Sequence, residues 1–383
     1  MAGEALTVRN GSPPLPPELI HEIIENLTYH DLPKVALVSK TIRVMAYSHL
    51  YRQLPSLSPR PTVLLMRTLA SSVELAKLVR TLNISDLKSY TLVAWTTAFY
   101  KLMSDALHNM LNLIDLRLYI LGSYTSYLPG CPFQLQSLRI AGDWDKHLGR
   151  WLGEQHQITD LWVFSLKLDP VHIADAAVPH LARVMGPPSV VASLVPGRPV
   201  KVVDLSIAQQ EHFIPDIMRP TCRILDHSMG PLSELIITVD ITDMLLTDVF
   251  ETIDVVPEIL PNLSLFTVFA ARSFINGDFL NRFGETLSKF KSLRRTAIYS
   301  TNPHDALGDW LITRELASRW HKLCPTLRYV DIGGIVWIYD NMHGWQTTDA
   351  LKVTMLQRLH EARAREKALL EELQALQARH YSV

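Results

Sequence analysis

The stretch of this chain closest to a chemical signature is His21-Glu22-Ile23-Ile24-Glu25. A zinc-protease helix sets two histidines four residues apart, with a glutamate base beside the first. Here the second ligand position is Glu25, and Leu19, Ile20, Ile23, Ile24 and Leu27 recur around it at helical spacing. The apolar face accounts for the segment without a metal. The fifteen histidines are otherwise scattered; His147 and His156 flank Trp151 in an aromatic stretch that suits packing and surface better than ligation. Asp143-Trp144-Asp145 could clamp a cation, but a strand-ending turn is the simpler use of those residue types. Gly333-Gly334 lacks the third glycine of a dinucleotide loop and is read as a turn. Cys131, Cys222 and Cys324 lie far apart with no CxxC pair, which excludes a cysteine-rich metal site or a disulfide scaffold and suits a reducing compartment. The expectation is no catalytic residue, no metal and no cofactor.

The elements that would position any site begin with residues 15 to 54. Pro16-Pro17 suits the first turn of a helix, where a missing N–H goes unnoticed. Asp31 can cap a second helix and Pro33 can start it, with Leu32, Val35, Ala36, Val38 and Ile42 continuing the apolar stripe. So short a helical segment buries too few side chains to offset the entropy of ordering it. Something else must cover its exposed apolar face.

Beyond it, a loose pattern repeats: an apolar residue, two variable ones, an apolar, one variable, an apolar. It runs through Val79/Leu82/Ile84, Leu113/Leu116/Leu118, Leu135/Leu138/Ile140 and Ile158/Leu161/Val163. It resumes with Val202/Leu205/Ile207, Leu232/Leu235/Ile237, Leu263/Phe266/Val268, Leu327/Val330/Ile332 and a weaker copy, Leu293/Thr296/Ile298. Neighbouring copies are about 22 to 34 residues apart, except for one gap, Leu161 to Leu205, wide enough to hide a degenerate unit. Residues two apart point the same way from a strand, so stacked units bury one row and display the alternate row. Residues 92 to 111 and 306 to 323 have helical spacing, the latter with Leu311, Leu316, Trp320 and Leu323 on one side. Residues 186 to 200, rich in Pro and Gly, read as an inserted loop. Residues 347 to 380 are rich in helix formers with a narrow apolar stripe, fit for a coiled-coil seam giving weak self-association or for a helix docked on the array.

The chain is 383 residues long, 48% hydrophobic and 20% charged, with a net charge of −1. One large body with small appendages fits that composition, and no global field draws nucleic acid or an anionic membrane. No apolar run is long enough for a membrane span, and the first residues lack the apolar core of a signal peptide.

The first segment resembles the F-box, the helical module that docks substrate receptors on the Skp-type adaptor of cullin-RING ubiquitin ligases. The matching residues are Leu15-Pro16, Glu18-Leu19, Ile23, Ile24, Leu27, Asp31-Leu32, Val38-Ser39-Lys40 and Arg43; Ile42 stands where such families usually carry Trp. The repeats are similar to the irregular leucine-rich repeats that follow an F-box in many fungal and other eukaryotic receptors, though the usual turn Asn or Cys is missing from nearly every unit. The resemblance implies an α/β chain with an F-box at 13–58 and an irregular repeat solenoid at 59–345; a flexible stretch at 1–12 precedes them, and the helix-forming composition adds an amphipathic C-terminal helix at 346–383. It implies an intracellular receptor, cytoplasmic or nuclear, that does no bond chemistry. Leu15, Pro16, Leu19, Ile20, Ile23, Leu27, Leu32, Val35, Val38 and Ile42 would meet the adaptor. Among the alternate strand row, Arg117, Tyr119, Arg139, Trp162, Phe164, Phe269, Tyr299 and Tyr329 are the residue types that favour protein interfaces, and they would hold an unknown protein substrate. The other option left open is a scaffold unconnected to ubiquitin, whose first helices merely cap the array.

Overall fold

The computed structural model of the chain describes residues 16–85, 95–120, 123–164, 171, 173–208, 214–240, 246–270, 275–300 and 310–348. The chain forms two compact units, residues 1–180 and 181–383. Leu15 and residues 349–383 of the expected C-terminal helix (346–383) lie outside the described residues; its first two residues, 346 and 347, are instead in a strand, Gly344–Thr347.

The first unit begins with three helices, α1 (Pro17–Glu25), α2 (Leu32–Val35) and α3 (Lys40–Arg52). Proline opens α1, and Glu18 in its first turn suits the positive end of the helix dipole. The Ser39 hydroxyl caps α3 by accepting from Ile42 N–H at 3.2 Å. Asp31, expected to cap α2, makes no cap hydrogen bond. Its carboxylate instead accepts from the Thr28 hydroxyl at 2.6 Å and the Lys34 ammonium at 3.1 Å.

Helix α3 runs straight into a short strand, β1 (Gln53–Leu54). Then follow α4 (Pro59–Ser71), α5 (Val73–Ala76), β2 (Thr81–Ser85), α6 (Thr97–Asn109), β3 (Asp115–Tyr119), β4 (Ser137–Ala141), α7 (Lys146–Leu152) and β5 (Asp160–Phe164). The strands pair in parallel in chain order. Leu82, Leu116, Leu138 and Leu161 face one another across the ladder, as do Ile84, Leu118, Ile140 and Val163. All eight are buried. These are the apolar repeats of the sequence, stacked in register. Asp145 caps α7 by accepting from His147 and Leu148 N–H, so the Asp143–Asp145 segment is a strand-to-helix turn.

The second unit continues the design with β6 (Arg183–Gly186), α8 (Pro188–Leu194), β7 (Val202–Ala208), α9 (Ile214–Leu225), β8 (Glu234–Asp240), α10 (Leu246–Ile259), β9 (Leu265–Ala270), α11 (Gly277–Ser288), β10 (Arg295–Ser300), α12 (Trp310–Leu323), β11 (Tyr329–Ile332), β12 (Ile335–Asp340) and β13 (Gly344–Thr347). Strands β6 to β11 are parallel; β12 and β13 turn back antiparallel. Gly333 and Gly334 both have positive φ, 62° and 88°, and make the tight turn between β11 and β12 that their sequence announced. Thr296, the polar member of the weak repeat, is buried, and its hydroxyl donates to the Phe266 carbonyl at 2.9 Å. A hydroxyl with a built-in acceptor can sit in the apolar row.

One expectation is met and three need correction. The gap after Leu161 does hide a unit, Leu181/Val184/Gly186, whose third position is Gly and so escapes an apolar pattern. The next repeat is Val200/Val203/Leu205, because Val203 and Leu205 pair with Leu235 and Ile237 while Val202 is only half-buried. Residues 186 to 200 are not a plain loop: Pro187-Pro188 starts α8, which buries Val190, Val191 and Leu194. On α12, Leu316 and Trp320 are buried as expected, but Leu323 is exposed at the helix end. The fold is mixed α/β, with helices followed by open parallel sheets of solenoid-like repeats. Among the described residues no helix is long and apolar enough to cross a membrane.

Candidate protein-interaction surfaces

In the first three helices only a thin core forms. Ile24, Leu32, Ala36 and Ala46 are buried, and the Arg43 side chain ties α3 to the end of α2 by donating to the Ala36 carbonyl at 3.2 Å. Apolar side chains point away from that core: Leu19 is 45% exposed, Ile23 53%, Leu37 78%, Val38 69% and Val44 71%. Of the side chains expected to meet a partner, Pro16, Leu19, Ile23 and Val38 are exposed, and Ile20, Leu27, Val35 and Ile42 are half-buried. Leu32 is the correction: it is 5% exposed because it opens α2 on the inward side, so it holds the module together instead of meeting a partner. Leu37 and Val44, more exposed than Leu19, Ile23 or Val38, were missed. Leu37 follows α2 in a non-helical turn, where helical periodicity says nothing.

In the first unit the alternate strand row forms one patch. Arg117, Arg139 and Trp162 are neighbours across β3, β4 and β5, with Tyr119 and Phe164 one step along. The Arg139 guanidinium lies 3.9 Å from the centroid of the Trp162 ring. Asp160 accepts from the Trp162 indole N–H at 2.9 Å and sits 3.6 Å from Arg139. Asp115 binds Arg117 through both carboxylate oxygens, at 2.6 and 3.2 Å, and holds its pKa above the usual value. The charges are therefore paired within the row. What projects is aromatic: Phe164 lies 5.9 Å from Tyr119 and 6.4 Å from Trp162, centroid to centroid.

In the second unit Phe269 and Tyr299 face each other in register and stack at 4.8 Å. The Tyr299 hydroxyl donates to Asp331 at 2.5 Å; burial first, then that carboxylate, raises its pKa. Tyr329 pairs with Arg295, which is bound to Glu234 at 2.6 Å. Sequence reasoning missed Asp204, whose Oδ1 is buried with no hydrogen-bond partner among the described residues, between Met185 and Ile236 of the adjoining strands. Burial pushes this carboxyl up to about 6, against the pull of Arg183.

Residues 13–54 match the family model described as F-box-like. The chain carries an F-box-like domain. A search of curated proteins finds no match to the chain. F-box-like domains are protein-interaction modules, so the exposed apolar side chains of α1 to α3 lie on an element of a kind that binds partners.

The F-box-like domain also brings together groups that the sequence kept apart. His21 Nε2 and Glu25 lie 3.4 Å apart on α1. His49, on α3, has its ring centroid 5.0 Å from that of His21. Burial, then the nearby His21, lowers the His49 pKa, which favours the neutral ring. Among the cysteines, burial pushes the Cys131 and Cys222 thiols up to about 12, far from a nucleophile's range.

Proposed function

We propose that this chain is the substrate-recognition subunit of a Skp–cullin–F-box ubiquitin ligase, acting in the cytoplasm or nucleus. The F-box-like domain docks on a Skp-type adaptor, and the open rows of the repeat sheets hold a target protein. The observation that carries this reading is the set of exposed apolar side chains, Leu19, Ile23, Leu37, Val38 and Val44, on a segment that matches the F-box-like family. Large apolar groups left in water on neighbouring turns mark a surface awaiting a partner. The rate gain comes from effective concentration: a receptor holding adaptor and target together makes ubiquitin transfer nearly intramolecular. The Arg139–Trp162 pair with Tyr119 and Phe164 supplies the aromatic type of contact surface for the target.

The test is co-purification with a recombinant Skp-type adaptor. Ile23→Asp and Val38→Asp are expected to lose the adaptor while keeping the wild-type melting temperature. Trp162→Ala with Phe164→Ala is expected to keep the adaptor and lose target proteins. Adaptor capture by both charged variants would overturn the docking face. One observation favours the scaffold reading: α3 continues without a break into β1, which pairs with β2, so the domain also closes the end of the first sheet. Failure of the wild-type chain to bind any Skp-type adaptor would favour that reading.

A further inference from the structure

We propose that His21, Glu25 and His49 form a zinc site that ties α1 to α3. His21 and Glu25 are four residues apart and so share one face of α1. His49 reaches them from α3, a helix the spacing in α1 could not reveal. One donor atom from each of the three side chains lies within 4.8 Å of the other two. His21 Nε2 and Glu25 Oε1 are already 3.4 Å apart, close to the separation of about 3.3 Å that ligands take around tetrahedral zinc with bonds of about 2.0–2.2 Å.

A second observation points to a ligand. His49 Nε2 is sealed from solvent and has no hydrogen-bond partner among the described residues. A buried ring nitrogen left unpaired costs stability, and a cation held with His21 and Glu25 would satisfy it. Two imidazoles and one carboxylate suit zinc, whereas magnesium and calcium prefer all-oxygen shells. The side chains of His21 and Glu25 are 50% and 53% exposed. They are free to rotate into ligation, and a fourth position stays open on the solvent side. The bound ion would fix α1 against α3, where the described core is little more than Ile24 and Ala46. None of this depends on which partner the domain binds.

The experiment is a calorimetric titration of the full chain, free of any histidine tag, with zinc alone. One saturable equivalent and a zinc-dependent rise in melting temperature are expected. His49→Ala and Glu25→Gln should each weaken binding by at least the tenfold or so that loss of even an outer-shell partner causes. His147→Ala should leave it unchanged. Glu25→Gln alters an exposed side chain, so it decides the matter if His49→Ala fails to fold. No saturable uptake by the wild-type chain, or undiminished uptake by Glu25→Gln, overturns the site.

Discussion

The F-box-like domain and the repeat units treat apolar side chains in opposite ways. In the repeats, Leu138, Leu161, Leu235 and Phe266 are each 0% exposed, locked between the ladder and the helices. In the domain, Ile23, Val38 and Val44 are each more than half exposed, and few residues close the core beneath them. The repeats satisfy their apolar row by stacking the next copy of the same unit. A three-helix segment has no next copy, so its apolar face stays open until a different surface covers it.

That contrast makes its strongest prediction in the second unit. Phe266 is fully buried with Phe290 at 5.3 Å and Phe283 at 5.9 Å, so Phe266→Ala leaves a cavity that neighbouring units cannot collapse. A loss of about 3–5 kcal/mol in urea unfolding is expected. A loss under about 1 kcal/mol would mean that the repeat core is loosely packed and the contrast with the domain is false.

How far this contrast could be read from sequence depends on the residue. The repeats were legible because burial of one strand row leaves a period-two apolar signature. They failed where that signature is broken by size: Gly186 keeps its place in the ladder with no side chain to show it. They also failed where Val202 offered a register shifted by two residues, placing Leu205 where the ladder has Val203, since β-branched residues suit either face. In the domain, the apolar stripe of α1 was visible, but which side of it is covered depends on where α3 crosses. Hence Leu32 turned out to be core, while Leu37 and Val44 were overlooked. The His21–His49 contact was invisible for the same reason: it is made by the packing of α1 on α3, helices separated in the sequence by α2, and not by spacing along one helix.

The open row of the repeats is not uniformly solvated, and Asp204 measures by how much. Its carboxyl titrates near 6 in the folded chain against an ordinary 3.8. A raised carboxyl pKa means that the folded state binds the proton more tightly than the unfolded state does. Stability from this group is therefore whole below about pH 4, declines as pH rises toward about 6, and is flat above that. Asp204→Asn should remove that decline and add at most about 3 kcal/mol at pH 7. Urea unfolding of both proteins at pH 4.5 and pH 7.5 checks it. Equal slopes in the two proteins would show that solvent reaches the group freely and that the open row is as wet as the domain's outer face.

The smallest effect on stability gives the finest test of the comparison. Leu37→Ser and Val44→Ser replace side chains that are 78% and 71% exposed, so each should change unfolding free energy by no more than about 0.5 kcal/mol. An ordinary surface position would show the same silence, so stability alone does not separate an idle patch from a waiting one. Adaptor affinity does. Leu37 lies just past α2, in the turn that leads to α3, and Val44 lies on α3 near Ile42, one of the residues expected at the adaptor. If the docking face extends across that turn, both variants weaken adaptor binding measured by calorimetry while their melting curves overlay the wild type. If either variant instead loses more than about 1 kcal/mol of stability, its side chain is already covered by the chain itself. The apolar face would then be a closed one, and the difference between the domain and the repeats would be one of degree.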